Sequence, residues 1–389
     1  MSRWTILAVL FTARLTMAFQ FQSVGAVSPL IAETYGVSLA DMGWLIGLYL
    51  APGIVVAIPG GAIAARFGDK RIVMLSMVLM LIGVVMIALA PTWGWLMAGR
   101  VIGGVGGVII NVIMTKMLVD WFAGREISTA MGIFINSWPV GIALALLVLP
   151  SVATTGGLTG VWAFVMGIIG IALVAFALLY QTPPTTSQPA AVMGGAGFPI
   201  VTLTLASTIW ALYNVGLAMV FAFGPSVLSE RGWSLTAASS TTSIFVIGTA
   251  IALPLGGIIA DRTGRRDTVI LISLIGYSAL LPVALYAPAW GITIALSVAG
   301  FFFGLGAGPI MTLPAAILRP DSRALGMGVF FSIYYALMMA GPAIAGALAD
   351  RAGEAGVTFL FGSALLIACI PALGIFRLKT RIKGATVSP

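Results

Sequence analysis

The stretch Gly257-Ile258-Ile259-Ala260-Asp261-Arg262-Thr263-Gly264-Arg265-Arg266 puts four charged side chains into ten residues of a chain that is only 8% charged. It lies between two long apolar runs. A partial copy, Gly61-Ala62-Ile63-Ala64-Ala65-Arg66-Phe67-Gly68-Asp69-Lys70-Arg71, lies between two apolar runs near the N-terminus. The leading glycines stand 196 residues apart in a chain of 389. A charged loop repeated at half the chain length reads as two similar halves, each interrupted at the same place.

The runs on either side of these loops recur along the whole chain. Each is about 20 residues long, which is what crossing about 30 Å of hydrocarbon requires. The chain is 60% hydrophobic with a mean hydropathy of +1.13, and a soluble domain of this size needs far more charge to cover its surface. The expectation is an all-α integral membrane protein. A β-barrel needs short alternating segments, and none is present. The net charge of +8 does not indicate a nucleic-acid partner, because the cations sit in short loops between apolar runs. One cysteine, Cys369, and no histidine exclude a disulfide within the chain, a multi-cysteine metal site and an imidazole proton shuttle. No cofactor is expected.

Twelve spans are predicted, at about 4–30, 42–64, 72–90, 94–118, 126–149, 160–180, 199–224, 237–260, 268–287, 290–316, 323–348 and 355–377. The first run exceeds the core of a signal peptide and reads as a span. Residues 1–180 form an N-terminal six-helix bundle and 199–389 a C-terminal one. The segment 181–198 between them, with Pro183, Pro184, Ser187, Pro189 and Gly194-Gly195, reads as a flexible cytoplasmic linker. Lysine and arginine crowd one side: Arg3, Arg66, Lys70, Arg71, Arg125, Arg262, Arg265, Arg266, Arg319, Arg323 and the C-terminal tail. The other side carries only Arg231 and Arg351 in its loops. By the positive-inside rule both termini are cytoplasmic, in a plasma (bacterial inner) membrane. The chain is read as a monomer whose partners are the lipid bilayer and a small molecule.

These features resemble the major facilitator superfamily, with two six-helix halves, a central linker and a charged loop after the second helix of each half. The loop is similar to that family's signature Gly-x-Leu-Ala-Asp-Arg-x-Gly-Arg-Lys, through Gly257, Ile259, Ala260, Asp261, Arg262, Gly264, Arg265 and Arg266. The first copy has Ala65 at the acidic position and Asp69 where a basic residue is usual. The resemblance implies a cytoplasmic charge clasp that holds the outward-open state. It makes Arg66, Lys70, Arg71, Asp261, Arg262, Arg265 and Arg266 gating candidates. Arg100-Val-Ile-Gly-Gly104 resembles the family's motif in helix 4. Trp121-Phe122-x-x-Arg125-Glu126 with Ala130-Met131-Gly132 resembles its entrance to helix 5. Thr115-Lys116-Met117, Asp120 to Glu126 and Asn136-Ser137-Trp138-Pro139 resemble the neighbourhood of cyanate permeases and nitrate/nitrite porters. The resemblance further implies a transporter working by alternating access, with helices 1, 4, 7 and 10 lining the cavity.

Charge inside the membrane is costly and usually functional. Every carboxylate falls at a face: Glu33, Asp41, Glu230, Asp350 and Glu354 on one side, and Asp69, Asp120, Glu126, Asp261, Asp267 and Asp321 on the other. No acid is left at mid-depth to carry a coupling proton. Arg14, about eleven residues into helix 1, lies roughly 15 Å deep. An unpaired guanidinium there is tolerable beside water or an anion, if it bonds helix carbonyls and Gln20 or Gln22, or if helix 1 starts later and Arg14 snorkels to the interface. The repeat offset makes Trp210 its pseudo-equivalent. Arg14, Gln20, Asn111, Asn136, Trp210, Tyr213, Asn214 and Tyr334 are the substrate-binding candidates, with Tyr335 at the same depth. Lys116 and Asp120, one turn apart, pair on one helix face and join Arg100 as gating candidates.

The expected function is a secondary active or facilitative transporter of a small anion rather than an enzyme. The alternative is an efflux antiporter for hydrophobic compounds. It predicts an aromatic cavity with an acidic coupling residue, and the Gly-Pro pattern of such antiporters in helix 5 is reduced here to Trp138-Pro139-x-Gly141.

Overall fold

A computed structural model describes residues 2–56, 68–122, 126–182, 199–318 and 323–385. Everything regular in it is helical. α1, Arg3–Ala26, starts where the Ser2 hydroxyl accepts the Thr5 amide, satisfying a helix-end donor. It stops short of the expected residue 30: Val27 breaks it, and a proline in the first turn opens a separate short helix, Ser28–Tyr35. α2, Leu39–Leu48, begins with a reciprocal capping box between Ser38 and Asp41 and resumes as Gly53–Val56. α3 is Asp69–Ala88 and α4 is Trp93–Phe122.

The fifth span was expected to be continuous over 126–149. Instead a helix Ile127–Ile135 breaks at Asn136 and continues as Ser137–Leu179. At 43 residues that segment is far too long for one crossing. It splits at Gly157, whose φ of 58° is open to glycine at no steric cost. The two arms are α5 (127–156) and α6 (158–179). The remaining spans are α7, Ile200–Glu230; α8, Leu235–Thr263; α9, Arg266–Tyr286; α10, Ala289–Met311; α11, Arg323–Ala352; and α12, Val357–Ala385. α7 runs past the expected 224 with Pro225 inside it. α10 stops at Met311, and a single 3₁₀ turn, Pro314–Ala316, replaces its expected end. Eleven stretches among the described residues are long and apolar enough to cross a membrane, and one of them is the broken α5–α6 segment. The architecture is therefore twelve spans.

At two internal prolines, Pro225 and Pro282, another helix uses what the proline releases. A proline cannot donate to the carbonyl four residues back. In apolar surroundings that carbonyl must find another donor. Pro225 frees the Phe221 carbonyl, and Gln22 Nε2 of α1 donates to it at 2.6 Å. Pro282 frees the Ser278 carbonyl, and the Ser363 hydroxyl of α12 donates to it at 2.6 Å.

α1 packs on the Ser137–Leu179 segment, α3 on α4, α8 and α9 on α10, and α7 on α11 and α12. Small residues let backbones meet. A Cβ on Gly104 would strike the Tyr49 carbonyl, and a Cβ on Gly300 would strike the Phe245 carbonyl. Both members of the second pair lie 196 residues after those of the first. The offset of the charged loops is thus also an offset of the packing.

α2 and α11 meet along a seam. A Cβ on Gly43 would overlap the Pro342 carbonyl, on Gly47 the Met339 carbonyl, and on Gly346 the Leu39 carbonyl. This end of the bundle, away from the termini, also carries bonds from Gln22 to Phe221, between Ser28 and Ser226, and from Ser239 to Ala26. It is called the seam face below. Among the described residues no hydrogen bond or ion pair joins 2–182 to 199–385 at the terminus face.

Candidate functional site

Beneath the seam lies a cavity of about 360 Å³. Its wall takes residues from α1, α2, α4, α5, α7, α8, α10 and α11. Arg14 is the sole charged side chain on that wall among the described residues. The rest is mostly aromatic and aliphatic, with Asn111, Thr115, Asn214 and Thr249 as polar exceptions.

Arg14 is held from two sides. Its Nε donates to Asn111 Oδ1 at 3.1 Å. Its Nη1 is shared among the Phe134 carbonyl (3.0 Å), the Ile135 carbonyl (3.1 Å) and the Ser137 hydroxyl (2.9 Å). The sequence explains the second set. Pro139 has no N–H for the Ile135 carbonyl, and the helix is already broken at Asn136, so acceptors stand exposed where Arg14 arrives. The guanidinium also lies over the Phe134 ring at 4.8 Å. Nη2 has no hydrogen-bond partner among the described residues. A fixed cation with one free edge in a largely apolar chamber can take an anion.

Asn111 extends the network. Its Nδ2 donates to the Tyr335 hydroxyl at 3.4 Å, a long contact that crosses from α4 to α11. Tyr334 lies beside Tyr335 (rings 5.1 Å apart) and Trp210 (6.3 Å). Asn214 Nδ2 is tied to the Trp210 carbonyl at 2.7 Å, and no bond from a described residue occupies its Oδ1. The Trp210 indole N–H is buried without an acceptor.

Of the sequence candidates, Arg14, Asn111, Trp210, Asn214 and Tyr334 are brought together on this wall. Three are not. Gln20 is consumed within the bundle: its Nε2 donates to the Met80 carbonyl (2.9 Å) and its Oε1 accepts from the Tyr49 hydroxyl (3.1 Å). The Tyr213 hydroxyl is bonded to Ser273 (2.8 Å) and to the Phe303 carbonyl, with its ring stacked on Phe303. Asn136 sits at the break in α5 with its buried Oδ1 unpartnered and does not line the cavity. Trp138 and Pro139, quoted above only for family resemblance and not as binding candidates, both line the cavity, and Trp138 packs on Phe21 at 5.2 Å. The signal available was a proline inside a span, close in sequence to a predicted polar site.

The gating candidates divide similarly. Arg100 is fully buried. It donates to the carbonyls of Leu45, Gln20, Phe21 and Ile46 and lies over the Tyr49 ring at 4.7 Å. It ties α1, α2 and α4 together. Lys116 bridges Asp120 (3.2 Å) and also Asp69 (2.6 Å), the residue that departs from the loop signature. Lys70 Nζ donates to the Ala177 and Tyr180 carbonyls, both at 2.8 Å, closing the C-terminal end of α6. Asp261 pairs with Arg266 at 3.0 Å within its own loop, both well exposed. Arg71, Arg262 and Arg265 are exposed, with no ion pair among the described residues. Ala65 and Arg66 lie outside the described residues.

The family described as the Major Facilitator Superfamily matches residues 10–226 and again 210–388. A 3-(3-hydroxy-phenyl)propionate transporter of Escherichia coli (strain K12) is 27% identical, covering 96% of this chain and 94% of its own. A hexuronate transporter of Bacillus subtilis (strain 168) is 22% identical, covering 97% and 95%. A crystal structure of a bacterial homolog of the human lysosomal transporter Spinster, inward-facing and occupied, matches with a TM-score of 0.78 at 19% identity, covering 97% of both chains.

Proposed function

The chain belongs to the Major Facilitator Superfamily and is a multi-pass membrane transporter, and we propose that it carries a small organic monoanion with an apolar, preferably aromatic, body. The observation that carries this reading is the free Nη2 edge of Arg14 in a chamber walled by aromatic rings. The carboxylate docks on Arg14. The body lies among Trp138, Trp210, Phe303, Phe331 and Tyr334. The 3-(3-hydroxy-phenyl)propionate named for one relative is such a molecule, which supports the reading.

The two halves, 1–180 and 199–389, rock about this site, with 181–198 as the linker, so the cavity opens to alternate faces. The terminus face is cytoplasmic by its lysines and arginines. With no carboxylate on the described wall, uniport or anion exchange fits better than proton symport. The aromatic lining also suits the rival reading, export of hydrophobic compounds. The two differ in what Arg14 does, since only an anion needs it.

The test is flux into proteoliposomes. The panel is 3-phenylpropionate, 3-(3-hydroxyphenyl)propionate, a hexuronate, nitrate, cyanate and an uncharged aromatic amide. Aromatic monocarboxylates are carried best, and they compete with one another. Transport of the amide with no transport or competition by any carboxylate establishes the rival instead.

A further inference from the structure

The seam between α2 and α11 continues down to the anion site. At its upper end the Asp350 carboxylate, at the end of α11, accepts the Leu39 and Ala40 amides at 2.9 and 2.8 Å. Those are first-turn amides of α2, which have no partner within their own helix, and the end of the helix dipole favours a carboxylate there. The glycine contacts at Gly346, Gly43 and Gly47 follow inward. At the lower end a Cβ on Gly53 would overlap the Tyr335 ring. Tyr335 is buried, and its hydroxyl accepts from Asn111, whose other amide atom holds Arg14. One side chain therefore ends the seam and touches the residue that positions the anion ligand. Among the described residues, Asn111 to Tyr335 is also the hydrogen bond between the two seam ends that links 2–182 to 199–385.

We propose that Tyr335 is a positioning residue that couples the charge state of the Arg14 site to the α2–α11 seam, with Asp350 as the latch at its far end. This rests on the reading of Arg14 as the anion ligand. With no anion bound, Arg14 draws on Asn111, Asn111 holds Tyr335, and α11 is held against α2 at Gly53. A carboxylate bound at Nη2 draws the guanidinium toward it and weakens the hold of Nε on Asn111 Oδ1. The Asn111–Tyr335 contact, already long, is released. The seam then loses its inner tie, keeps the Asp350 latch and the glycine contacts, and opens more readily.

The test uses the full-length protein in proteoliposomes, with Cys369→Ser to remove the native thiol and Ser226→Cys as reporter. Ser226 bonds Ser28 across the closed seam face and is not on the cavity wall, so a ligand in the cavity does not shield it. A membrane-impermeant maleimide is applied from the seam face, with 3-phenylpropionate as the probe anion. Binding of the probe is followed separately by intrinsic tryptophan fluorescence. In the parent protein the probe raises the labelling rate at least about threefold. Tyr335→Phe keeps the ring against Gly53 and loses only the hydroxyl: its affinity for the probe stays within about threefold of the parent, and the labelling response is lost. Asp350→Asn raises labelling with or without the probe.

A full labelling response in Tyr335→Phe overturns the coupling, and so does an unchanged basal rate in Asp350→Asn. Binding to the parent protein with no labelling response overturns it as well. A parent protein that shows neither binding nor a labelling response overturns the anion-site reading itself. A Tyr335 that only filled space would alter affinity and basal labelling together and leave the response to the probe in place.

Discussion

Replacing Arg14 by glutamine removes the charge and keeps a side chain able to donate to the same helix acceptors. The structure sets the size of the effect. Nε and Nη1 are committed to Asn111 and to the α5 carbonyls and Ser137, so the anion gains only the Nη2 edge and the charge behind it. A charge-assisted hydrogen bond is worth about 2 kcal/mol, which is roughly thirtyfold in Kd. Protein integrity is expected to hold, because the Ser137 hydroxyl already donates to the Phe134 carbonyl at 2.6 Å and the Ile135 carbonyl is left within reach of the glutamine amide. Arg14→Lys keeps the charge as a compact ammonium that cannot hold Asn111 and the anion in one plane, and should cost about tenfold. Fluorescence titration with 3-phenylpropionate, together with uptake on the same samples, measures both. Both variants binding and transporting within threefold of the parent would refute the reasoning. So would a loss of affinity that also appears for an uncharged aromatic amide.

The other expectations can be checked with the same preparations. Pro139→Ala returns an N–H to the Ile135 carbonyl and competes with Arg14 for it; affinity should fall roughly fivefold, for about 1 kcal/mol, while thermal stability rises because an internal proline is removed. Gly47→Val drives a side chain into the Met339 carbonyl; overpacking of this kind costs about 1–3 kcal/mol, here charged to the closed seam, so labelling at Ser226→Cys should rise and uptake fall at least tenfold. Lys116→Gln leaves Asp69 and Asp120 facing each other. Lys116 is more than a third exposed, but the Asp120 side chain is nearly buried, so loss of the cation should lower both the melting temperature and the uptake rate. Asp261→Asn should disturb transport, and Ala65→Asp should slow opening to the terminus face; equal null effects of the two on uptake would remove the clasp reading of the loops.

The twelve spans were legible because hydrocarbon thickness leaves few alternatives for a chain this apolar. The irregularities were not. The break at Asn136, the early end of α1 and the persistence of α7 through Pro225 depend on donors from other helices, and a sequence window does not contain those. Gln22 and Phe221 are 199 residues apart in the chain. The site was half legible for a related reason. Charge and polarity at mid-depth locate a residue along a span but not around it. A helix apolar on all sides gives no azimuth, so depth could not show that Gln20 and Tyr213 bond within the bundle while Arg14, Asn111, Trp210, Asn214 and Tyr334 line the cavity.

The two buried arginines show why depth alone does not identify a ligand. Arg14 and Arg100 face the same cost of burial, and neither has a carboxylate beside it. Arg100 spends Nε, Nη1 and Nη2 on backbone carbonyls of α1 and α2 and is covered by Tyr49. All three nitrogens are used, so nothing that enters the cavity can reach it, and its charge is spread over carbonyl dipoles. Arg14 spends Nε and Nη1 and stops. The acceptors that hold it come from a broken helix and a proline, features that cost helix stability on their own and that a purely structural arginine would not require. Rigid anchoring on two sides and an open third edge are what a binding site needs, because the ligand then pays little to order the group it meets. The number of donors left over, rather than the presence of the charge, separates the guanidinium that holds the bundle from the one proposed as the anion ligand.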